Sequence, residues 1–235
     1  MTNVINFVVL VLSQVVLFLL VTYGLGVNKS NAKKALCWGL ILGAPLGYVF
    51  DRLFGLYFGV FDYYMETTLI FLLVNGMFSY GVALATVVLF VCWLDVALVP
   101  QSSVAKRLVF MSLISVFLFV FTLLNPMSIL GVTITSGLFV LVISDLGLSL
   151  LGVQSFSGML VKRDLRKLIN IYLFSVIMGM WYEAVNYVFP VWRWGLSDDF
   201  SKSTTELMVV FSGYLVLVSA LLVGAIVIRK RLMSS

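Results

Sequence analysis

The chain has 235 residues, of which 62% are hydrophobic and only 11% are charged, and its mean hydropathy is +1.14. Soluble domains are about half apolar and about a quarter charged, so this composition indicates an integral membrane protein. The net charge of +5 comes from short basic clusters beside apolar segments, which favours lipid head groups over nucleic acid as a partner. Histidine is absent and the two cysteines show no ligand spacing, so we expect neither a metal nor another cofactor.

Seven apolar stretches are long enough to cross a membrane. A bilayer core of about 30 Å requires roughly 20 apolar residues per helix. We predict transmembrane helices over 4–26, 36–58, 67–97, 106–124, 127–150, 167–190 and 206–228. The predicted fold is therefore an all-α, seven-helix polytopic membrane protein with a single membrane domain over residues 1–235.

The basic residues give the orientation of these helices. Twelve of the 15 lie in alternate loops, namely Lys29, Lys33, Lys34, Lys106, Arg107, Lys162, Arg163, Arg166, Lys167, Arg229, Lys230 and Arg231. Because loops rich in lysine and arginine stay on the cytoplasmic side, we predict a cytoplasmic C-terminus and an outside N-terminus. The cell (plasma) membrane is the expected location.

An acidic motif occurs twice, in predicted helices 2 and 6. Gly47 precedes Asp51 by four residues, one helical turn, and Gly179 precedes Glu183 by the same distance. A pair of aromatic residues one position apart follows each acid: Phe61 and Tyr63 in the first copy, Trp192 and Trp194 in the second. This recurrence predicts a duplicated fold with one acid from each half.

The predicted duplication is of the parallel type, because the two copies are separated by four helices, an even number. It divides the chain into repeat 1 (about 1–99), a linker helix (about 106–124) and repeat 2 (about 127–235), a 3+1+3 arrangement. Glu66 and Glu206, near the starts of predicted helices 3 and 7, form a second correspondence.

Asp51, Glu183 and Asn186 are the candidate catalytic residues, the two acids because carboxyl groups within a membrane are costly and commonly functional. Asn186 lies three residues after Glu183 on the same helical face and is predicted to hydrogen-bond the carboxyl group. Arg52 beside Asp51 would keep Asp51 ionised while burial keeps Glu183 protonated, which pairs a proton acceptor with a donor. The alternatives are structural: interhelical hydrogen bonds at Glu183 and an Asp51–Arg52 ion pair at the outer interface.

The sequence resembles the fused integral-membrane lycopene cyclases of archaea and bacteria. The resemblance lies in the length, the helix arrangement and the segments 59–63, 65–71 and 204–207, together with the two acids. Both Glu-Glu pairs of that family are incomplete here, and its expected prolines are missing. The chain is also similar to the small membrane terpene cyclases of meroterpenoid biosynthesis, which likewise rely on isolated intramembrane acids.

This resemblance implies an enzyme that protonates an apolar polyprenoid, guides a carbocation through ring closure and then removes a proton. It makes Glu183 the proton donor and Asp51 the base or counter-charge. The other candidate site residues, expected to bind substrate, are Tyr48, Tyr57, Trp181, Tyr187, Trp192, Asp145, Glu66 and Glu206. For Trp192 the alternative is a place in the interfacial aromatic belt, and for Asp145 it is a structural pairing across the bundle.

Two other functions remain open from the sequence. A small transporter with the 3+1+3 arrangement of sugar-efflux proteins has the same topology, although only Pro45 lies well inside a predicted helix where such proteins place hinge prolines. A non-catalytic membrane scaffold also fits. A retinal protein does not, because predicted helix 7 has no lysine for a Schiff base. The expected partners are membrane lipids and an apolar small molecule, and the sequence leaves open whether the chain forms a homo-oligomer.

Overall fold

The computed structural model describes residues 2–94, 105–124, 128–195 and 201–233, and it is mostly helical. The helices are α1 (Thr2–Gly24), α2 (Lys29–Tyr57), α3 (Leu69–Leu94), α4 (Ala105–Leu124), α5 (Ile129–Leu150), α6 (Phe156–Val161), α7 (Leu165–Val188) and α8 (Lys202–Met208, Val209–Gly213 and Tyr214–Met233). Strands β1 (Phe61–Tyr63) and β2 (Trp192–Trp194) follow α2 and α7.

Six helices in the described ranges are long and apolar enough to cross a membrane, which confirms six of the seven predicted stretches. They are Asn3–Gly24, Lys29–Tyr57, Leu69–Leu94, Ile129–Leu150, Leu165–Val188 and Thr204–Lys230. The predicted fourth stretch does form a helix, α4, but its apolar portion, Ser112–Phe121, is shorter than the other six. Many large apolar side chains on the outside of the bundle are exposed, as contact with lipid requires.

Polar residues at the helix starts explain where several of these helices begin. The side chains of Thr68, Ser128 and Ser201 accept hydrogen bonds from backbone N–H groups in the first turns of α3, α5 and α8, at 3.1–3.3 Å. Each bond satisfies one of the donors that a helix leaves unpaired at its N-terminus.

Three helical segments within the described ranges are π-helical, which means that their backbone hydrogen bonds join residues five positions apart. They are Asp51–Tyr57 at the end of α2, Gly76–Tyr80 within α3 and Val209–Gly213 within α8. Such segments are rare and often occur at functional sites. Here one of them begins at a predicted catalytic acid.

Helices α3 and α8 form the centre of the bundle. Helix α3 packs against α1, α2 and α8, and α8 packs also against α5 and α7. Nearly every residue of the segment Gly81–Leu94 is buried, and its side chains belong to a single core cluster with those of α8. The two central helices therefore join the N-terminal and C-terminal parts of the chain.

The strands correct the purely helical prediction. Strand β1 pairs with β2 in antiparallel register, with Phe61 opposite Trp194 and Tyr63 opposite Trp192. The pair is extended by backbone hydrogen bonds from Tyr64 to Val191 and from Gly195 to Val60, both 2.9 Å long. The two aromatic pairs that the sequence marked as repeats thus lie side by side.

Helices α2 and α3 approach each other through glycines. Gly39, Gly43 and Gly47 lie on one face of α2 at four-residue spacing. A Cβ atom at Gly43 would collide with the backbone of Gly81 and lie 2.8 Å from the carbonyl oxygen of Gly76, both in α3. Small residues of this kind let helix backbones come close together.

We predict that Gly43→Ala destabilises the protein by about 1–3 kcal/mol, because the added methyl group forces two backbones apart. Thermal unfolding in detergent would measure the loss. Gly24→Ala is the matched control, because a Cβ atom at Gly24 meets no neighbour within 4 Å. Equal melting temperatures for the two variants would contradict the close approach of α2 and α3.

Candidate functional site

Asp51 is fully buried at the start of the π-helical end of α2. Its Oδ1 accepts hydrogen bonds from the hydroxyl groups of Tyr80 at 2.6 Å and Tyr63 at 2.9 Å, and its Oδ2 accepts one from the Asn75 amide at 2.9 Å. Burial and then the negative charge of Asp51 raise the pKa of Tyr63, which lies between the helices, well above its ordinary value. Tyr63 therefore stays a donor, and both carboxyl oxygens of Asp51 are satisfied.

Glu183 is also buried, near the C-terminal end of α7. Its Oε1 accepts hydrogen bonds from the Tyr214 hydroxyl at 3.0 Å and the Trp194 indole N–H at 3.2 Å. Its Oε2 is buried without a hydrogen-bond partner among the described residues. The Trp192 indole N–H lies close enough to the Glu183 carboxyl group to interact with it, although the geometry among the described residues is not that of a full hydrogen bond. One of the two carboxyl oxygens of Glu183 is therefore unsatisfied.

The two carboxyl groups have corresponding surroundings. In each case an aromatic residue of the neighbouring strand and a tyrosine of the following helix donate to one oxygen. Gly47 and Gly179 make room for those tyrosines: a Cβ atom would lie 2.6 Å from the Tyr80 ring at Gly47 and 2.8 Å from the Tyr214 ring at Gly179. The glycine of each sequence motif thus admits the tyrosine that binds its acid.

The correspondence ends at the second carboxyl oxygen. Asn75, which donates to Asp51, lies five residues before Tyr80. The residue five positions before Tyr214 is Val209, which has no donor to offer Glu183. The second half therefore has no counterpart of the Asn75 amide at this position.

A cavity of about 380 Å³ lies against both sets of donors. This volume falls in the range of about 300–1,000 Å³ that is usual for small-molecule sites. Aromatic rings line much of it: Phe50, Phe54, Phe61, Tyr63, Tyr80, Tyr182, Trp192, Trp194 and Tyr214. The donors of the two acids therefore meet at one cavity, with each carboxyl group directly behind the wall.

No match to this chain was found among protein-family models, curated proteins or solved structures. The resemblance to lycopene cyclases therefore stays a prediction. The structure adds two observations: a cavity common to both halves of the chain, and the hydrogen-bond donors that contact Asp51 and Glu183.

Asn186 does not hold Glu183, contrary to the prediction. Its Oδ1 accepts hydrogen bonds from the backbone N–H groups of Val191 at 2.8 Å and Trp192 at 3.1 Å, and its Nδ2 donates to the Trp192 carbonyl at 3.0 Å. Because α7 ends at Val188, the following residues turn back toward Asn186 and occupy its amide. Asn186 shapes the turn that leads into β2.

Arg52 does not pair with Asp51. Neighbouring side chains on a helix point about 100° apart, and Arg52 is exposed while Asp51 is buried. The Arg52 guanidinium lies over the ring of Tyr48, 5.6 Å from its centre. Tyr48 is thus a partner of Arg52 on the outside of α2 and does not line the cavity.

Of the predicted substrate-binding aromatic residues, only Trp192 lines the cavity. Tyr57 and Tyr187 are exposed, at 66% and 64%, because each projects from the outer face of its helix. The Trp181 indole donates to the Ser13 carbonyl at 3.1 Å and so fastens α7 to α1.

The remaining predicted acids also lie away from the cavity wall. Asp145 accepts hydrogen bonds from the backbone N–H and the hydroxyl group of Ser157, at 2.9 and 2.6 Å, and so ties α5 to the start of α6. Glu66 is exposed before α3. Glu206 is half-buried in the first part of α8, where it interacts electrostatically with Glu183.

Sequence reasoning missed the tyrosines that bind the acids. Tyr80 and Tyr214 are 29 and 31 residues from Asp51 and Glu183 along the chain. A signal was present, because Tyr80 follows Gly47 by 33 residues and Tyr214 follows Gly179 by 35. Extending the repeat comparison into the next helix would have found this pair.

We predict that Asn186→Ala raises amide hydrogen exchange at Val191 and Trp192, because both N–H groups lose their acceptor. The expected loss of local stability is about 1–3 kcal/mol. Mass-spectrometric exchange in detergent would measure it, with Asn3→Ala as the control, since Asn3 only donates to the Tyr64 carbonyl at the surface. Unchanged exchange at both positions would refute the assigned role of Asn186.

Proposed function

We propose that this chain is a membrane-embedded cyclase that binds an apolar polyprenoid in the cavity and acts on it by protonation and carbocation cyclisation. The observation that carries the proposal is the placement of two buried carboxyl groups directly behind the aromatic wall of one cavity. The functional alternatives, a transporter or a scaffold, do not require buried acids in this arrangement.

In the proposed reaction, Glu183 gives its proton to an alkene carbon of the substrate. Hydrogen bonds from several donors favour the ionised form of a carboxyl group. Glu183 has donors on one oxygen only, which leaves Oε2 able to carry a proton. A positioned acid of this type contributes about 10²–10⁴-fold to a rate. Tyr214 and Trp194 stand between Glu183 and the cavity, so we propose that the proton carried by Oε2 passes to the substrate through the Tyr214 hydroxyl group, which lines the cavity.

The ring then forms without any change in atomic composition. Protonation of one double bond leaves a carbocation, and the π electrons of a second double bond form the new carbon–carbon bond. Loss of a proton restores a double bond, so the product is an isomer of the substrate. The faces of Phe54, Phe61 and Trp194 line the cavity, and aromatic faces attract cations through their quadrupole.

Asp51 is proposed as the counter-charge and final proton acceptor. Its two oxygens accept three hydrogen bonds, a pattern that favours the ionised form. Tyr63 and Tyr80 lie between Asp51 and the cavity and would pass the proton by exchanging their own hydroxyl protons. This assignment gives the two acids opposite roles, as in enzymes that use paired carboxyl groups as acid and base.

We further propose that the fold is a duplication with a 3+1+3 parallel arrangement of seven membrane helices. Support comes from parts that recur in the same order in both halves: a glycine, an acid, an aromatic strand, a π-helical segment and a tyrosine. In this arrangement α4 is the linker helix.

We predict that cells accumulating lycopene or another linear polyprenoid form new cyclic products when they express this protein. Glu183→Gln should reduce those products by about 10²-fold or more, because an amide has no proton to deliver. Product analysis by chromatography and mass spectrometry would measure the change. Asp62→Asn is the control, because Asp62 is exposed and pairs with Arg193 at the surface. Product profiles that stay unchanged while the wild-type protein is folded in the membrane would overturn the proposal.

A second prediction tests the asymmetry of the two acids. Val209→Asn would restore the donor that Asn75 supplies in the first half, and so stabilise ionised Glu183 by about 1.5 kcal/mol. We expect product formation to fall about tenfold, because less Glu183 carries a proton. Val210→Asn is the matched control, as Val210 is the buried neighbour on the same π-helical segment. Equal activity per folded protein in both variants would contradict the role given to Oε2.

A further inference from the structure

The cavity contains polar groups that neither carboxyl cluster uses. Gln14 of α1 lines the cavity and is only 1% exposed. Both atoms of its amide, Oε1 and Nε2, are buried without a hydrogen-bond partner in the part of the chain that the structure describes. A buried amide without partners is costly, at about 1–3 kcal/mol for each unsatisfied group. A ligand in the cavity that bonded with this amide would remove that cost.

Ser79 of α3 is a second group of this kind. It lines the same cavity and is 7% exposed, and its hydroxyl group is buried with no hydrogen-bond partner within the described ranges. Serines in other helices donate a hydrogen bond from the hydroxyl group to the carbonyl oxygen four residues earlier, as Ser144, Ser175 and Ser212 do at 2.6–2.8 Å. Ser79 lies in the π-helical segment Gly76–Tyr80 and makes no such bond. Helices α1 and α3 pack against each other, so both unsatisfied groups belong to neighbouring walls.

We infer that Gln14 and Ser79 form a polar subsite for an oxygen-bearing end of the ligand, such as the hydroxyl or carbonyl group of an oxygenated polyprenoid. The Gln14 amide offers both a donor and an acceptor, and the Ser79 hydroxyl offers either. A hydroxyl group on the ligand would use the Gln14 carbonyl as acceptor and the amide or Ser79 as donor. The rest of the cavity wall takes the hydrocarbon chain. A pure hydrocarbon would leave all three protein groups unpaired. The inference deepens the proposed function, because it names the substrate class for the same cavity.

The test compares the binding of two probes to the purified full-length chain in detergent micelles. The probes are geranylgeraniol and the hydrocarbon that lacks only its hydroxyl group. Because Trp192 and Trp194 line the cavity, their fluorescence reports occupancy. We expect the alcohol to bind at least about tenfold more tightly, since sites built to hydrogen-bond a hydroxyl group reject the analogue without it.

Two variants locate the subsite. Gln14→Leu and Ser79→Ala should each reduce the preference for the alcohol, and the double variant should bring the two probes to similar affinity. Ser212→Ala is the matched control, because Ser212 also lines the cavity but its hydroxyl donates to the Met208 carbonyl. Its ratio of affinities should equal that of the wild type.

A stability measurement keeps the test informative even if a variant binds no probe. Removing an unsatisfied buried amide should leave the melting temperature of the empty Gln14→Leu protein unchanged or higher. A large decrease would show that Gln14 has a structural partner and would overturn the inference. Equal binding of both probes to the wild type, or binding of neither, would overturn it as well. Cyclic products that depend on Glu183 would still uphold the proposed function in those cases, so the two failures are distinguishable.

Discussion

The cost of burying two carboxyl groups in an apolar bundle determines the structure around them. A buried carboxylate without hydrogen-bond donors is strongly disfavoured, so each acid draws donors from the elements that follow it. Asp51 takes them from β1 and α3, and Glu183 takes them from β2 and α8. A glycine one turn before each acid admits the donating tyrosine. The strands, the glycines and the tyrosines therefore act together to provide hydrogen-bond donors for the two buried carboxyl groups.

The strand pair meets a second requirement of the apolar surroundings. The segments that follow α2 and α7 expose backbone N–H and C=O groups, which must be paired wherever water is excluded. Strands β1 and β2 pair with each other, and Asn6 and Asn186 bind the backbone of the turn that precedes β2. The same pairing brings the rings of Phe61 and Trp194 to 5.7 Å, on the wall of the cavity. The pairing of β1 with β2 thus both satisfies the backbone hydrogen-bonding groups and shapes the wall of the cavity.

The sequence predicts the helices well because hydropathy reports directly on an apolar environment. Six of the predicted stretches agree with the structure to within a few residues, except that α2 starts earlier than predicted. It also identifies Asp51 and Glu183 as buried, because each lies within an apolar segment. Their partners could not be read from local spacing, because Tyr80 and Tyr214 reach the acids through packing between helices. The prediction for Asn186 failed for the opposite reason. Its spacing from Glu183 places the two residues on one helical face, but α7 ends at Val188, and the turn that follows provides nearer partners for the Asn186 amide.

On the proposed duplication, the two halves began with equal acids, and equal acids would exchange protons alike. Acid–base chemistry on one substrate needs one group that gives a proton and another that accepts it. On that proposal Asn75 and Val209 occupy corresponding positions, each five residues before a tyrosine that donates to an acid. The Asn75 amide completes the donors of Asp51, whereas no described residue donates to Oε2 of Glu183. Gln14 and Ser79 belong to neither acid, and their unpaired groups face the same cavity. Proton transfer and recognition of the ligand are therefore assigned to separate walls of the site.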